Sequence, residues 1–224
     1  EDVLNAFDGD QITLAAIDSQ SRAIFETYFN PPAAFSLASV PFFFDRRDAV
    51  MNRYKHLINY GALIGSEPNG VINRKVDLLN GQAFDWSLGE KDFKNIKYAL
   101  TTLIRMGQYS GSKKVILPMK PGIELNLSDK NEVDSFVKLF NEFPLRIDDI
   151  YINTAHPQGG NIMAGLNSEF KNIRVADEKF RLANFNNVFI ADASVFPSSL
   201  TVNPQWTIMA LSSMAVKNVL NEFH

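Results

Sequence analysis

Three polar residues in the last third of the chain stand where chemistry can be done. His156 lies in the loop Ala155-His-Pro-Gln-Gly-Gly160. A proline stiffens the chain beside the imidazole, and two glycines let another group approach the backbone closely. A rigid loop with a histidine and open space beside it suits a proton acceptor; the competing reading is a structural histidine bonded to its own loop. Asp192 follows Val188-Phe-Ile-Ala191 at once. By composition that run is a buried strand, and an acid at a strand's C-terminal end, beside small residues, is placed to accept a sugar or ribityl hydroxyl. The plainer alternative is a cap or turn aspartate. Asn203 precedes Pro204, the clearest helix start in the sequence. Asn is a good N-cap and Pro is favoured at the first helical position. A helix end of this kind presents unpaired N–H groups and partial positive charge, which stabilise an anion.

Composition narrows the chemistry. The 224 residues include no cysteine, which removes disulfides, thiolate nucleophiles and zinc–thiolate sites. The three histidines, His56, His156 and His224, are too few for a multi-histidine metal site, so no metal is expected. A formal charge of -3 offers no basic footprint, which argues against nucleic acid as a partner. No apolar run approaches the roughly 20 residues of a membrane helix, and no signal peptide opens the chain. A soluble protein, cytoplasmic or periplasmic, is expected. The sequence opens on Glu1 in mid-pattern, so the true N-terminus is expected to lie upstream. The glycine patterns G-x-G-x-x-G, the phosphate loop and G-x-S-x-G are all missing from the sequence.

The elements that position these residues read as α+β. Ile12, Leu14 and Ala16 alternate as a short strand after a Gly9-Asp10 turn. Residues 22–29 fit strand or helix, and Asn30-Pro-Pro32 ends them. Residues 33–60 are predicted to be mainly helical, starting at Pro41 or Asp45, with His56 partly buried in a structural role. Three strands over 60–65, 71–78 and 82–88, turning at Glu67-Pro-Asn-Gly70 and Asn80-Gly81, predict an antiparallel meander with one face free to line something. Phe93, Ile96, Leu100, Leu103 and Ile104 recur at three and four, predicting a helix over 89–109 with Asp92 near its start and Gly107 near its end. Val115-Ile-Leu117 reads as a strand. A second helix opens at Ser128, taken as its cap, and buries Val133, Phe136, Val137 and Phe140. The last helix, over about 204–222, buries Ile208, Leu211, Ala215 and Val219, joined by Met214, Val216 and Leu220.

Residues 151–222 resemble the C-terminal signature of the glucose–methanol–choline (GMC) flavin oxidoreductases. The resemblance is carried by Ala155-His-Pro-Gln-Gly-Gly160, Val175-Ala-Asp177, Arg181, Asn187-Val-Phe-Ile-Ala-Asp-Ala-Ser194 and Val202-Asn-Pro-Gln-Trp-Thr-Ile-Met-Ala-Leu211. Order, spacing and identity agree over about 70 residues. The first 150 residues are compatible with the family's substrate domain, an antiparallel sheet flanked by helices. The resemblance implies a substrate-binding domain over 1–150. It assigns 151–224 to the catalytic-histidine loop and to a strand and helix that belong to the FAD domain of the intact enzyme.

It also implies a role for each matched residue. His156 takes the proton of the substrate alcohol as hydride passes to the flavin. Asn203 stands where members carry His or Asn as the second catalytic residue, and its amide would hold the alcohol oxygen. Asp192 and Ala193 contact the ribityl–phosphate part of FAD, and Asn203, Pro204 and Gln205 border the isoalloxazine ring. The departure from the family is the dinucleotide-binding glycine fingerprint, which this sequence lacks. The expectation is a C-terminal piece of an FAD-dependent alcohol oxidase or dehydrogenase that does not by itself retain FAD and is inactive alone, its N-terminal FAD-binding portion being the missing partner. The alternative is a non-catalytic binding or interaction module on the same scaffold. The aromatic stretch from Phe25 to Phe44 lines a pocket for a bulky or apolar alcohol, or is ordinary core.

Overall fold

The structure is a computed structural model, and it describes residues 3–4, 14–28, 30–39, 46–72, 84–159 and 175–223. Seven strands are described: β1 (Ala15–Asp18), β2 (Ala23–Tyr28), β3 (Asn59–Ile64), β4 (Val71–Ile72), β5 (Phe84–Asp85), β6 (Lys114–Leu117) and β7 (Ile123–Asn126). The described helices are α1 (Pro32–Ala34), α2 (Arg47–Met51), α3 (Glu90–Tyr109), α4 (Lys130–Glu142) and α5 (Gln205–Phe223). All the strand pairs are antiparallel, so the architecture is α+β. The chain divides into two compact units, Glu1–Gly65 with Trp86–Thr154, and Ser66–Asp85 with Ala155–His224.

In the first unit, β1, β2 and β3 form a sheet in that order. The expected meander over 60–88 is therefore corrected: β3 pairs backwards with β2, not forwards with β4. The reason lies in the alternation of side chains. Ala23 and Phe25 on β2 stand opposite Ile64 and Ala62 on β3. With Tyr60 they share one face, which packs on Ala99, Leu100 and Leu103 of α3. A one-residue slip would turn that face to water. β4 pairs with β5 in a separate two-stranded ribbon of the second unit. Most of the expected 71–78 strand, with the Asn80-Gly81 turn, lies outside the described residues.

Helix α3 forms where the periodicity places it. Its first turn is closed by Asp92, whose Oδ2 accepts the Gly89 N–H at 2.9 Å although the residue is only 1% exposed. Gly107 lies near its end as expected, within the last helical turn, where a Cβ would come within 2.5 Å of the Tyr60 hydroxyl and 3.0 Å of Leu127 Cδ1. Helix α4 is capped by Asp129 and not by Ser128: Asp129 Oδ1 accepts the N–H groups of Asn131 and Glu132 at 2.9 and 3.2 Å. The Ser128 N–H is engaged by Asn126 Oδ1 instead. At the other end of α4, Lys97 Nζ donates to the carbonyls of Asn141 and Phe143, a cation satisfying the last carbonyls of a helix. Between α3, α4 and the β6–β7 hairpin lies the largest core: Ile104, Leu117, Met119, Leu125, Leu127, Val133, Phe140, Leu145 and Ile150.

The described residues of the segment 33–60 are mainly helical, as expected, but in short pieces. After α1 it makes a π-helical turn over Phe35–Ser39, then α2, then a 3-10 turn over Tyr54–His56. His56 is exposed on that turn, not partly buried. Pro41 and Asp45, the expected helix starts, lie outside the described residues. Phe35 packs edge-on against Tyr54 with ring centroids 5.3 Å apart, beside buried Val50. Phe25 and Phe35 are buried core residues. Arg53 forks onto Glu124 at 3.0 and 3.1 Å, and Lys114 joins the same carboxylate at 2.9 Å, tying the hairpin to this segment. These two cations hold the Glu124 carboxyl down at about 2.

The second unit closes around Phe180, Val195, Phe196 and Ala215, packed by Ile190, Leu200, Ile208 and Leu211. The expected buried strand at 188–191 is corrected. Only an isolated bridge joins Phe189 to Arg181, and Val188 is exposed. Helix α5 follows the expected range, but its stripe is narrower. Ala215 is buried, whereas Met214, Val216 and Leu220 are about half exposed. Among the described residues no helix is long and apolar enough to cross a membrane.

Candidate functional site

His156, Asp192 and Asn203 all fall in the second unit. His156 sits in the irregular segment 151–159, and its side chain is exposed. Just after it the chain turns at Gly159, whose φ of +85° belongs to the left-handed region that glycine adopts freely. That turn aims the Gly159 N–H at the Ala193 carbonyl, 3.0 Å away. A Cβ there would also stand 3.4 Å from the Phe196 carbonyl. Beside it, the Gln158 side-chain oxygen accepts the Leu200 N–H at 3.0 Å. The loop that carries His156 is therefore fastened to the 191–200 segment.

Asp192 does what the plainer reading of it expects. Its Oδ1 accepts the Ser194 N–H at 2.8 Å and opens a 3-10 turn over Ala193–Val195. The side chain remains exposed, and Ala193 is half-buried. Ser212 of α5 donates to the Ala191 carbonyl at 2.7 Å, which seats this turn on the helix. Asn203 and Pro204 stand immediately before α5. Pro204 is buried and its carbonyl accepts the Ile208 N–H at 2.9 Å, while Asn203 and Gln205 are exposed. The five residues expected to meet a cofactor thus fall at two places, the Asp192 turn and the start of α5. The hydrogen bonds that Gly159 donates and Gln158 accepts are the feature that sequence patterning does not reveal. The Gly159-Gly160 pair marks a turn, but nothing local marks the Gln158 acceptor.

Asp177 and Arg181 serve the frame. Asp177 Oδ1 accepts the N–H groups of Lys179 and Arg181 at 2.9 and 2.8 Å. The Arg181 guanidinium pairs with Glu222 near the end of α5 and lies 5.7 Å from the Phe189 ring centroid. Among the described residues no group of three or more His, Asp or Glu is arranged to hold a metal ion.

Fold and site together define an α+β protein that carries an exposed imidazole, carboxylate and carboxamide within one compact unit. The model of the GMC oxidoreductase family matches residues 77–212, more than half of the chain, and the chain belongs to that oxidoreductase family. Two relatives agree. A long-chain-alcohol oxidase, FAO4A of Arabidopsis thaliana, is 26% identical over 173 residues, covering 76% of this chain and 22% of the relative. An uncharacterized GMC-type oxidoreductase, y4nJ of Sinorhizobium fredii (strain NBRC 101917 / NGR234), is 30% identical over 183 residues, covering 81% of this chain and 34% of the relative. The chain therefore spans about a third or less of the length of these relatives.

Proposed function

We propose that this chain is the histidine-bearing C-terminal portion of an FAD-dependent alcohol oxidoreductase. The observation that carries the reading is the fastening of the His156 loop to the segment that holds Asp192 and leads to Asn203. An exposed imidazole on a braced loop suits a group that must meet an incoming substrate and take its proton. His156 accepts the hydroxyl proton of the alcohol, and the Asn203 carboxamide holds the alcohol oxygen. Asp192 and Ala193 would meet the ribityl–phosphate part of FAD, and Asn203, Pro204 and Gln205 the isoalloxazine ring. They fit that group as one wall, because they offer an exposed carboxylate and a helix N-terminus but no glycine fingerprint for the pyrophosphate. When bound, the flavin supplies the acceptor for the hydride of the alcohol carbon.

Two further observations support the assignment. Helix α5 exposes Trp206, Met209, Met214, Val216 and Leu220, each by half or more. A helix that is apolar on nearly every side is ordinarily covered, as it would be by the FAD-binding portion of a longer polypeptide. The long-chain-alcohol oxidase relative favours an apolar alcohol as the substrate class. In the intact enzyme, His156→Ala should lower turnover about a hundredfold or more. Unchanged turnover with the alcohol would remove the histidine from the mechanism.

A further inference from the structure

The fastening of the His156 loop has two parts with different consequences. The Gly159 N–H reaches Ala193, next to Asp192. Gln158 reaches Leu200, which is 42 residues away in sequence. Leu200 is followed by Thr201, whose φ of +63° bends the chain sharply. Val202 and Asn203 lead from that bend into α5. Through the Gln158–Leu200 bond, the route from His156 to Asn203 is two residues on one side and three on the other. A backbone N–H can only donate, so the atom that faces it is the carboxamide oxygen. That acceptor is chemically specific: a leucine of similar size has none, and a glutamate keeps one.

We infer that Gln158 is a positioning residue for His156. By holding the Leu200 N–H it sets the histidine loop against the bend that leads to Asn203. The inference rests on the reading of His156 and Asn203 as a working pair. It goes beyond that reading by naming the side chain that sets their spacing. Small displacements of a proton acceptor are costly in rate, whereas they scarcely alter binding of the rest of the substrate.

The test has a structural arm and a kinetic arm. In the 224-residue chain, Gln158→Leu should speed amide hydrogen exchange at Leu200 about tenfold, and Gln158→Glu should return it to the parent rate. Gln158→Asn, which withdraws the same oxygen by one methylene, is the second loss-of-contact variant and should resemble Gln158→Leu. In the intact enzyme, Gln158→Leu should lower kcat about tenfold or more with KM within about twofold, and Gln158→Glu should restore kcat. Unchanged Leu200 exchange in both loss variants overturns the contact. Faster exchange with unchanged kcat overturns the positioning role, and so does an equal loss in the leucine and glutamate variants. If His156→Ala leaves turnover intact, the catalytic reading fails and the positioning role with it, while Leu200 exchange still reports on the contact alone.

Discussion

Replacing Gly107 with alanine sets two opposed effects against each other inside helix α3. Helix propensity alone favours alanine by about 1 kcal/mol. Yet the new methyl carbon would stand 2.5 Å from the Tyr60 hydroxyl and 3.0 Å from Leu127 Cδ1. That hydroxyl is not free to retreat, because it donates to the Leu103 carbonyl at 3.1 Å in an interior that pushes the phenol's pKa up. Overpacking of this kind costs about 1–3 kcal/mol, and surrendering the hydroxyl's bond about 1 more. Subtracting the propensity gain, Gly107→Ala should destabilise the first unit by about 1–3 kcal/mol. Tyr60→Phe alone should cost about 1 kcal/mol. In the Tyr60→Phe background the methyl faces the ring carbon Cζ at 3.7 Å, an ordinary contact. Gly107→Ala should then be close to neutral there, its propensity gain offsetting the remaining 3.0 Å approach to Leu127 Cδ1. A double-mutant cycle by urea unfolding should therefore show about 1–3 kcal/mol of coupling in favour of the double variant. A Gly107→Ala chain more stable than the parent, or a cycle with no coupling, would refute the reasoning.

Two more expectations concern charge and cofactor. Glu124 is held at about 2 by Arg53 and Lys114, below its ordinary 4.5. A depressed carboxylate stabilises the fold above its unfolded value and loses that contribution as pH falls from about 4.5 towards about 2. The full displacement corresponds to about 3 kcal/mol, but the partners are 29–59% exposed, so screening reduces it to about 1 kcal/mol. Glu124→Gln should lose that amount at pH 7 and progressively less below pH 4.5, as read from denaturant midpoints; a constant difference across pH would contradict the assignment. The isolated chain should not bind FAD stoichiometrically at about micromolar concentration, because it offers no glycine cradle for the pyrophosphate. A sharp equivalence point in an FAD fluorescence titration would defeat that expectation.

What the sequence reveals of this fold depends on how far each contact reaches. The faces of α3 and α4 are legible because residues three and four apart meet on the same helix. Asp129 displaces Ser128 as cap by one position, since both residue types can accept the helix N–H groups and only the backbone decides between them. The sheet is less legible. The strand that β3 joins lies far back in the chain, and the neighbouring apolar runs offer a nearer partner that looks equally good. Along α5, apolar residues on every side define a helix but not which of them face inwards. In the candidate site, residue types and spacing single out His156, Asp192 and Asn203. The hydrogen bond from Leu200 to Gln158 leaves no local signature at all, because a glutamine's partner is set by tertiary structure.

The exposure of Trp206 has a practical consequence. Of the chain's two tryptophans, Trp86 lies in the first unit and is 39% exposed, while Trp206, at the start of α5, is 82% exposed. An indole in water emits at long wavelength. An apolar element that covers the first turn of α5 moves Trp206 out of water and shifts its emission to the blue. The chain thus carries its own optical reporter for such a cover, placed two residues beyond Pro204 and requiring no label.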